Sequence, residues 1–170
     1  MTSVILNIHE RVIPASVAAV GRMIDTLGSA GDVVWPHERW PALKLDRPLK
    51  VGSAGGHGPI RYRVESYEPG RRVRFLFLSP EGFVGTHGFD VEDTGEGASK
   101  LRHVIEMQTV GMAVLNWSLI IRHLHDALLE DALDKVEGAF RDVGPPRAWS
   151  RRVVFLRWLV RKSGGHRRHK

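Results

Sequence analysis

The sequence predicts an α+β domain in which a long C-terminal helix packs on a curved antiparallel sheet, with a short helix after the first strand. Residues 112–141 carry apolar side chains at three- and four-residue steps without an interrupting proline, as an amphipathic helix does. Residues 4–13, and four segments between residues 60 and 109, alternate apolar with polar side chains, which is typical of half-buried strands. Successive strands followed by a helix favour an antiparallel sheet with its helices on one face.

The composition is that of one globular domain without thiol chemistry. The chain has 170 residues, of which 42% are apolar and 26% charged, so it can bury a substantial core. It contains no cysteine, which excludes disulfides and thiolate ligands, and residues 1–10 do not resemble a signal peptide. The sequence therefore predicts a cytoplasmic location.

The net charge of +6 is concentrated at the C-terminal end of the chain. Residues 147–170 contain nine Lys and Arg and no acid, which leaves 16 basic against 19 acidic residues for residues 1–146. The body of the chain therefore carries about −3. Because the excess of positive charge lies in residues 147–170 and not on the body of the chain, no specific nucleic-acid partner is predicted.

A short helix is predicted over residues 17–27, directly after the first strand and Pro14. Ser16 is placed to accept a hydrogen bond from the amides of its first turn, and glycines end it. Residues 32–50 contain three prolines and two tryptophans without a regular period, which predicts a long loop. Such loops in compact domains often bind ligands.

The middle of the chain predicts the remaining strands. They cover residues 60–67, 73–78, 82–92 and 101–109, with turns between them. The glycine-rich segment 52–58 precedes these strands and leads into Pro59 rather than into a helix. It is therefore interpreted as a flexible strand connection and not as a phosphate-binding loop.

The layout resembles the START and polyketide cyclase superfamily (SRPBCC), whose helix-grip fold wraps a curved antiparallel sheet around a long final helix. The resemblance covers roughly residues 4–142 and is carried by Val12-Ile-Pro-Ala-Ser16, Leu49-Lys-Val-Gly52, Tyr62-Arg-Val64 with Tyr67-Glu-Pro-Gly-Arg-Arg72, and residues 97–106. It implies a helix-grip domain over residues 1–142, and activities that range from carriage of hydrophobic ligands to cyclisation or dehydration of polyketides. No single catalytic motif unites the superfamily, so no catalytic residue is carried over.

If the apolar face of each strand is the concave one, a set of mainly apolar side chains meets the long helix and encloses a pocket. The strand residues of this candidate ligand-binding site are Tyr62, Phe75, Phe77, His87, Phe89, His103 and Met107. The helix contributes Trp117, Ile121, Leu124 and Leu128. Trp35 and Trp40 of the loop could line the mouth of this pocket or only anchor the loop. Trp40 is included among the candidate ligand-binding residues. The alternative is that these side chains simply fill the core.

The histidines are the candidates for chemistry. His87 and His103 lie on the two arms of one predicted hairpin, directly opposite or up to about 13 Å apart depending on the register. They could be core groups, orient the polar end of a ligand, or transfer protons, since an imidazole pKa near ~6.5 suits that role. His123 and His125 lie about 200° apart on a helix, so they cannot chelate one ion together. Neither a metal site nor a cofactor is predicted.

A basic C-terminal extension, residues 143–170, is predicted to be helical over residues 148–162 with a disordered end. The apolar stripe of this helix is formed by Trp149, Val153, Leu156 and Val160. Arg157 interrupts the apolar run, which is too short to span a bilayer. The helix could pack on the domain or on a second subunit of a homodimer, or residues 147–170 could lie peripherally on an anionic membrane surface.

The function that these observations predict is binding of a hydrophobic small molecule, such as a lipid, a polyketide or a quinone-like compound, between the sheet and the long helix. Two alternatives stay open. One is an aromatic cyclase or dehydratase that acts on a polyketide-like substrate through the pocket histidines. The other is a membrane-associated adaptor that acts through the basic tail.

Overall fold

The computed structural model describes the backbone of residues 1–165 and the side chains of residues 1–162. Within this range the chain forms one antiparallel sheet of seven strands, in the order β1-β7-β6-β5-β4-β3-β2. The strands are β1 (Thr2–Ile13), β2 (Lys44–Leu45), β3 (Ala54–His57), β4 (Ile60–Glu68), β5 (Arg72–Ser79), β6 (Phe83–Gly95) and β7 (Ala98–Val110). Every neighbouring pair is antiparallel.

The helices pack on one face of this sheet. They are α1 (Val17–Ile24), α2 (Met112–Asn116), α3 (Arg122–Gly138) and α4 (Arg151–Gly165), and a π-helical turn (Trp117–Ile121) joins α2 to α3. The side chain of Ser16 accepts a hydrogen bond from the Ala19 amide at 3.3 Å, as the sequence predicts for the start of α1. The α+β helix-grip architecture, with its curved sheet, long helix and short helix after the first strand, is confirmed.

The long helix differs from the prediction in two respects: its hydrogen-bond pattern changes at residues 117–121, and it ends at Gly138 rather than at Arg141. The π-helical turn follows α2 after five residues, and α3 continues to Gly138. Such single π turns are rare and occur frequently at functional sites. Here the turn carries Trp117 and Ile121, which line the cavity described below.

The polar face of β1, and not its apolar face, is turned towards α3. Val4 and Leu6 are 78% and 64% exposed, whereas Asn7, His9 and Arg11 bond to side chains of α3. The assumption that the apolar face of each strand is concave therefore fails for β1. The α3 partners of these residues are the carboxylates Asp126, Glu130, Asp134 and Glu137.

Arg11 is the main cation of this β1–α3 contact. Its guanidinium lies 2.9 Å from Glu130, 2.8 Å from Asp134 and 2.5 Å from Glu137. Burial opposes ionisation of Glu137, but hydrogen bonds from Arg11 and Arg141 hold its pKa below the ordinary value. These four acidic residues of the long helix are thus paired with β1 rather than left in solvent.

The glycine-rich segment is a strand and not a flexible connection, which corrects the prediction. Residues 54–57 form β3, which pairs with both β2 and β4. A Cβ atom on Gly55 would collide with the carbonyl oxygen of Lys44. The glycine is therefore required by the close approach of neighbouring backbone.

The C-terminal helix packs on the body of the domain. Val153 and Leu156 of α4 are each only 7% exposed, and Val153 belongs to the main hydrophobic core. Just before the helix, Trp149 donates its indole N–H to Asp131 of α3 at 3.0 Å. The predicted disordered end includes residues 166–170, which lie outside the described residues. Within residues 1–165, no helix combines the length and apolar character needed to cross a membrane.

Candidate ligand-binding cavity

A cavity of about 590 Å³ lies between the sheet and the long helix. Strands β5, β6 and β7 form one wall, and the π-helical turn and α3 form the opposite wall. The loop before β2, the end of β3 and α4 complete the lining. This volume falls within the ~300–1,000 Å³ that is usual for small-molecule sites in proteins.

Most of the residues that the sequence predicts for the ligand-binding site line this cavity. They are Trp40, Phe75, Phe77, His87, Phe89, His103, Trp117, Ile121, Leu124 and Leu128. Tyr62 and Met107 are buried but are not among the lining residues. Tyr62 supports the wall from behind, with its ring centroid 4.8 Å from that of His87. Met107 lies in a smaller apolar cluster that also contains Phe83.

The loop tryptophans both line the cavity and anchor the loop, so the two alternatives considered for them are not exclusive. Trp35 is 3% exposed and donates its indole N–H to the carbonyl of Pro41 at 2.9 Å. Trp40 is 7% exposed and donates to Asp131 at 2.7 Å. Each indole therefore has a polar partner, as buried tryptophans usually do.

His87 and His103 are brought together by a diagonal arrangement across β6 and β7. In the sheet register, His103 is paired with Phe89, and His87 with Ile105. The two histidines are thus offset by two residues, and His87 Nδ1 lies 3.3 Å from His103 Nε2. One of these nitrogens must carry the proton that the other accepts.

Both histidines are held neutral by their surroundings. His87 is 6% exposed and His103 is 2% exposed, and burial lowers the pKa of each well below the ordinary value. The ring of His87 also stacks on Phe77, with ring centroids 4.6 Å apart. His87 Nε2 and His103 Nδ1 have no hydrogen-bond partner among the side chains and backbone that the structure describes. Each of these two cavity-lining histidines therefore has one ring nitrogen that is shielded from solvent and unsatisfied.

The sequence did not identify two further histidines that line the cavity, His57 and His125. His57 lies against Trp35, with ring centroids 4.6 Å apart, and its Nδ1 is 3.2 Å from the hydroxyl of Tyr62. Burial lowers the pKa of His57 to about 3. His57 lies in a glycine-rich segment, where no alternation of apolar and polar residues indicates which side chains face the core.

His125 extends the row of histidines towards β1. Its ring centroid lies 5.1 Å from that of His103 and 5.9 Å from that of His9. A signal for His125 was present in the sequence, because it follows Leu124 on the edge of the apolar stripe. The nearby His123, which lies on another face of the helix, obscures the position of His125 at the cavity.

One side of the cavity is closed by residues of α4 that the sequence analysis did not assign to the pocket. Arg157, Val160 and Arg161 belong to the lining. The guanidinium of Arg157 lies 4.1 Å above the ring of Trp40 and 3.8 Å above that of Trp149. It also donates to the carbonyl of Arg39 at 2.6 Å. Stacking on two rings fixes this cation in place.

Comparisons with known proteins identify the fold. No protein-family model and no curated protein sequence matches the chain. The structure is similar to norcoclaurine synthase of Thalictrum flavum solved with a transition-state analogue, at 15% identity and a TM-score of 0.62 over 82% of this chain and 97% of that chain. It is also similar to a Thermobifida fusca protein, at 12% identity and a TM-score of 0.61 over 79% of this chain and 92% of that one.

A third similar structure extends over nearly the whole chain. A conserved protein of unknown function from Enterococcus faecalis matches at 14% identity and a TM-score of 0.59, over 96% of this chain and 86% of that chain. At such identities the likeness shows the fold alone. That fold is the helix-grip fold.

Proposed function

We propose that the protein binds a hydrophobic small molecule with a polar end in the cavity between the sheet and the long helix. The observation that carries this proposal is a mainly apolar cavity lined by two buried histidines, each with one ring nitrogen that has no partner among the described residues. Buried polar groups normally have hydrogen-bond partners. A ligand that places a polar group beside His87 and His103 would supply them.

The lining favours a ligand with a flat ring over a long flexible chain. Phe75, Phe77, Phe89 and Trp117 present aromatic rings to the cavity, and such rings prefer to stack on other rings or to meet them edge to face. Because the two histidines are neutral, they would bond to a hydroxyl or a carbonyl rather than attract a free anion. A polyketide-like or quinone-like compound combines a flat ring with hydroxyl or carbonyl groups, whereas a fatty acid lacks the ring.

The fold relatives support an aromatic ligand. Norcoclaurine synthase of Thalictrum flavum has also been solved in complex with dopamine and hydroxybenzaldehyde, which are small ring compounds with polar substituents. This chain has the same fold with its own histidine-lined cavity. The relative therefore supports the ligand class but does not identify the ligand.

Binding is tested by titrating the protein with a fluorescent hydrophobic probe and with a library of hydroxylated aromatic compounds. We expect one site per chain, and at least tenfold weaker binding for Phe77→Asp and Leu124→Asp, because each places a charge in the apolar wall. Leu78→Asp is the matched control, since Leu78 neighbours Phe77 but is 54% exposed. Equal binding by Phe77→Asp, Leu124→Asp and Leu78→Asp, or failure of the whole library to bind, would contradict the proposal.

The second candidate is a cyclase or dehydratase that uses the same two histidines. It is favoured by the 3.3 Å contact between His87 Nδ1 and His103 Nε2, through which a proton could pass from one ring to the other. A neutral imidazole can remove a proton next to a carbonyl and return it to a leaving hydroxyl. Turnover of a polyketide-like substrate should then fall in His87→Gln and His103→Gln by a much larger factor than binding does. Full turnover in both variants would exclude this function.

The third candidate, contact with an anionic membrane, rests on the outer face of α4. Phe155 and Trp158 are 58% and 50% exposed, and their rings stack with centroids 5.9 Å apart. Aromatic side chains among basic residues are typical of helices that lie in a membrane interface. Sedimentation with phosphatidylserine vesicles should be reduced in Phe155→Ser and Trp158→Ser. A concentration-dependent dimer without vesicle binding would instead assign this face to a second copy of the chain.

A further inference from the structure

The row of histidines ends at a cluster of metal-binding side chains between β1 and α3. His9, His125 and Asp126 each offer one ligand atom that lies within 4.8 Å of the other two. We propose that these three residues bind a divalent transition-metal ion such as Zn²⁺. Imidazole and carboxylate groups are ordinary ligands of such ions.

The distances between the ligand atoms suit a metal ion. His9 Nε2 lies 3.1 Å from Asp126 Oδ1, and His125 Nδ1 lies 3.7 Å from the same oxygen. Ligand atoms bound at ~2.0–2.1 Å in a tetrahedral zinc site lie about 3.3 Å from one another. The ligand atoms of His9 and His125 lie within 4.8 Å of each other, so side-chain shifts of up to about 1.5 Å bring the three groups to coordination distance.

The outer partners of the cluster orient the ligands as in known metal sites. Glu130 Oε1 lies 2.8 Å from His9 Nδ1, so a proton on Nδ1 leaves the lone pair of Nε2 on the side of Asp126. Asn7 donates to Asp126 Oδ1 at 3.1 Å. A carboxylate that holds the far nitrogen of a ligating histidine is a frequent feature of metal sites, and it fixes both the tautomer and the ring orientation.

His125 distinguishes a metal site from a simple ion pair. Ion pairing with Asp126 and Glu130 accounts for the position of His9, whereas His125 Nδ1 lies 3.7 Å from Asp126 Oδ1, beyond hydrogen-bond distance. Both ring nitrogens of His125 are shielded from solvent, and neither has a hydrogen-bond partner among the described residues. Leaving such a buried group unpaired is unfavourable for folding. A bound ion would satisfy one of these nitrogens.

The metal site would adjoin the cavity through His125. His125 is both a member of the cluster and a lining residue of the cavity, whereas His9 approaches from β1. Three protein ligands leave at least one coordination position free, as in sites that bind water or an exogenous ligand. The metal proposal does not require the hydrophobic ligand, and the two can be tested separately.

Metal binding is tested on the full chain, without an affinity tag and after treatment with a chelator. Calorimetric titration with Zn²⁺ and the visible absorption of bound Co²⁺ should both report one ion per chain. Loss of a ligand in His125→Ala or Asp126→Asn should weaken binding by at least about 100-fold, and loss of the orienting carboxylate in Glu130→Gln by roughly 10–100-fold. Thermal unfolding with and without Zn²⁺ gives an independent readout, since an ion that binds the folded state raises the melting temperature.

Two controls make the result specific. His123→Ala removes a histidine of the same helix that is not in the cluster and should leave binding unchanged. His166→Gln with His169→Gln removes the imidazoles of the C-terminal end and should also leave the high-affinity site intact. Absence of Zn²⁺ and Co²⁺ binding, or binding of undiminished strength in both His125→Ala and Asp126→Asn, would overturn the proposal. Probe binding measured in the presence of chelator tests the hydrophobic site independently.

Discussion

At the scale of single residues, His87 and His103 show how burial alone changes what a side chain can do. Both are ordinary imidazoles in sequence, but the fold encloses them between Phe75, Phe77 and Phe89. A protonated ring in this position would be a poorly solvated cation. The pair is consequently neutral and able both to donate and to accept a hydrogen bond near pH 7.

These two histidines predict a loss of stability on acidification. Their pKa values lie well below that of an unfolded histidine, near ~6.5, so the unfolded chain binds more protons below that pH. Stability is therefore fully present above about pH 6.5 and decreases as the pH falls below it. The slope is up to about 1.4 kcal/mol per pH unit for each histidine.

Urea unfolding between pH 7.5 and 5.5, in the presence of chelator, measures this effect. The free energy of unfolding should depend less on pH in the double variant His87→Gln and His103→Gln than in the unmodified protein. His37→Gln, at a histidine whose side chain is 49% exposed, is the control and should retain the original dependence. Identical pH profiles for all three proteins would show that the buried pair is protonated as readily in the folded chain as in the unfolded one.

At the scale of elements, α4 has two faces with different roles. Val153 and Leu156 pack on the core, whereas Val154, Phe155 and Trp158 are at least half exposed. The apolar stripe predicted from the sequence identifies Val153 and Leu156 because both recur at helical spacing. The second, outward apolar face is what makes a membrane or a second subunit a candidate partner.

Neighbouring substitutions in α4 separate these roles. Leu156→Ala should lower the free energy of unfolding by about 2–3 kcal/mol, because it leaves a cavity in a packed interface. Phe155→Ala, at an adjacent but 58% exposed position, should change it by less than about 0.5 kcal/mol. Chemical denaturation of both variants measures the difference. Equal values for the two would mean that α4 does not pack on the domain in solution.

At the scale of the whole molecule, Asp131 joins three segments that are far apart in the chain. Its carboxylate accepts hydrogen bonds from Arg39 at 2.7 Å, Trp40 at 2.7 Å and Trp149 at 3.0 Å. The loop before β2, α3 and the segment leading into α4 therefore meet at one buried group. The loop and α3 contribute residues to the cavity lining. Trp149 of the third segment packs against Arg157, which also lines the cavity.

Substitution of Asp131 should therefore affect the fold and the cavity together. Asp131→Asn removes the charge that pairs with Arg39 and turns an amide donor towards the indoles, which should cost about 2–4 kcal/mol of stability. Binding of a hydrophobic probe should weaken in the same variant, since Trp40 loses its anchor. Glu65→Gln, at an exposed position of β4, is the control for both measurements. Unchanged stability and unchanged probe binding would show that Asp131 does not hold the cavity in shape.

The sequence predicted the parts of this protein that depend on local periodicity. Alternation and helical spacing located the main strands and the long helix, and the apolar stripe of that helix placed Trp117, Ile121, Leu124 and Leu128 on one face. These patterns are local because a strand or a helix repeats within a few residues. They also located nine of the residues that line the cavity.

Only the tertiary structure decided which side of β1 faces the helix and which histidines meet. The apolar face of β1 is exposed because its polar face pairs with the carboxylates of α3, more than a hundred residues further along the chain. His9 and His125 are likewise distant in sequence, and no local repeat relates them. Electrostatic pairing and metal-ligand geometry depend on distances across the fold, so the candidate metal site could not be predicted from the sequence. The α+β domain and its cavity depend on local periodicity and could be predicted.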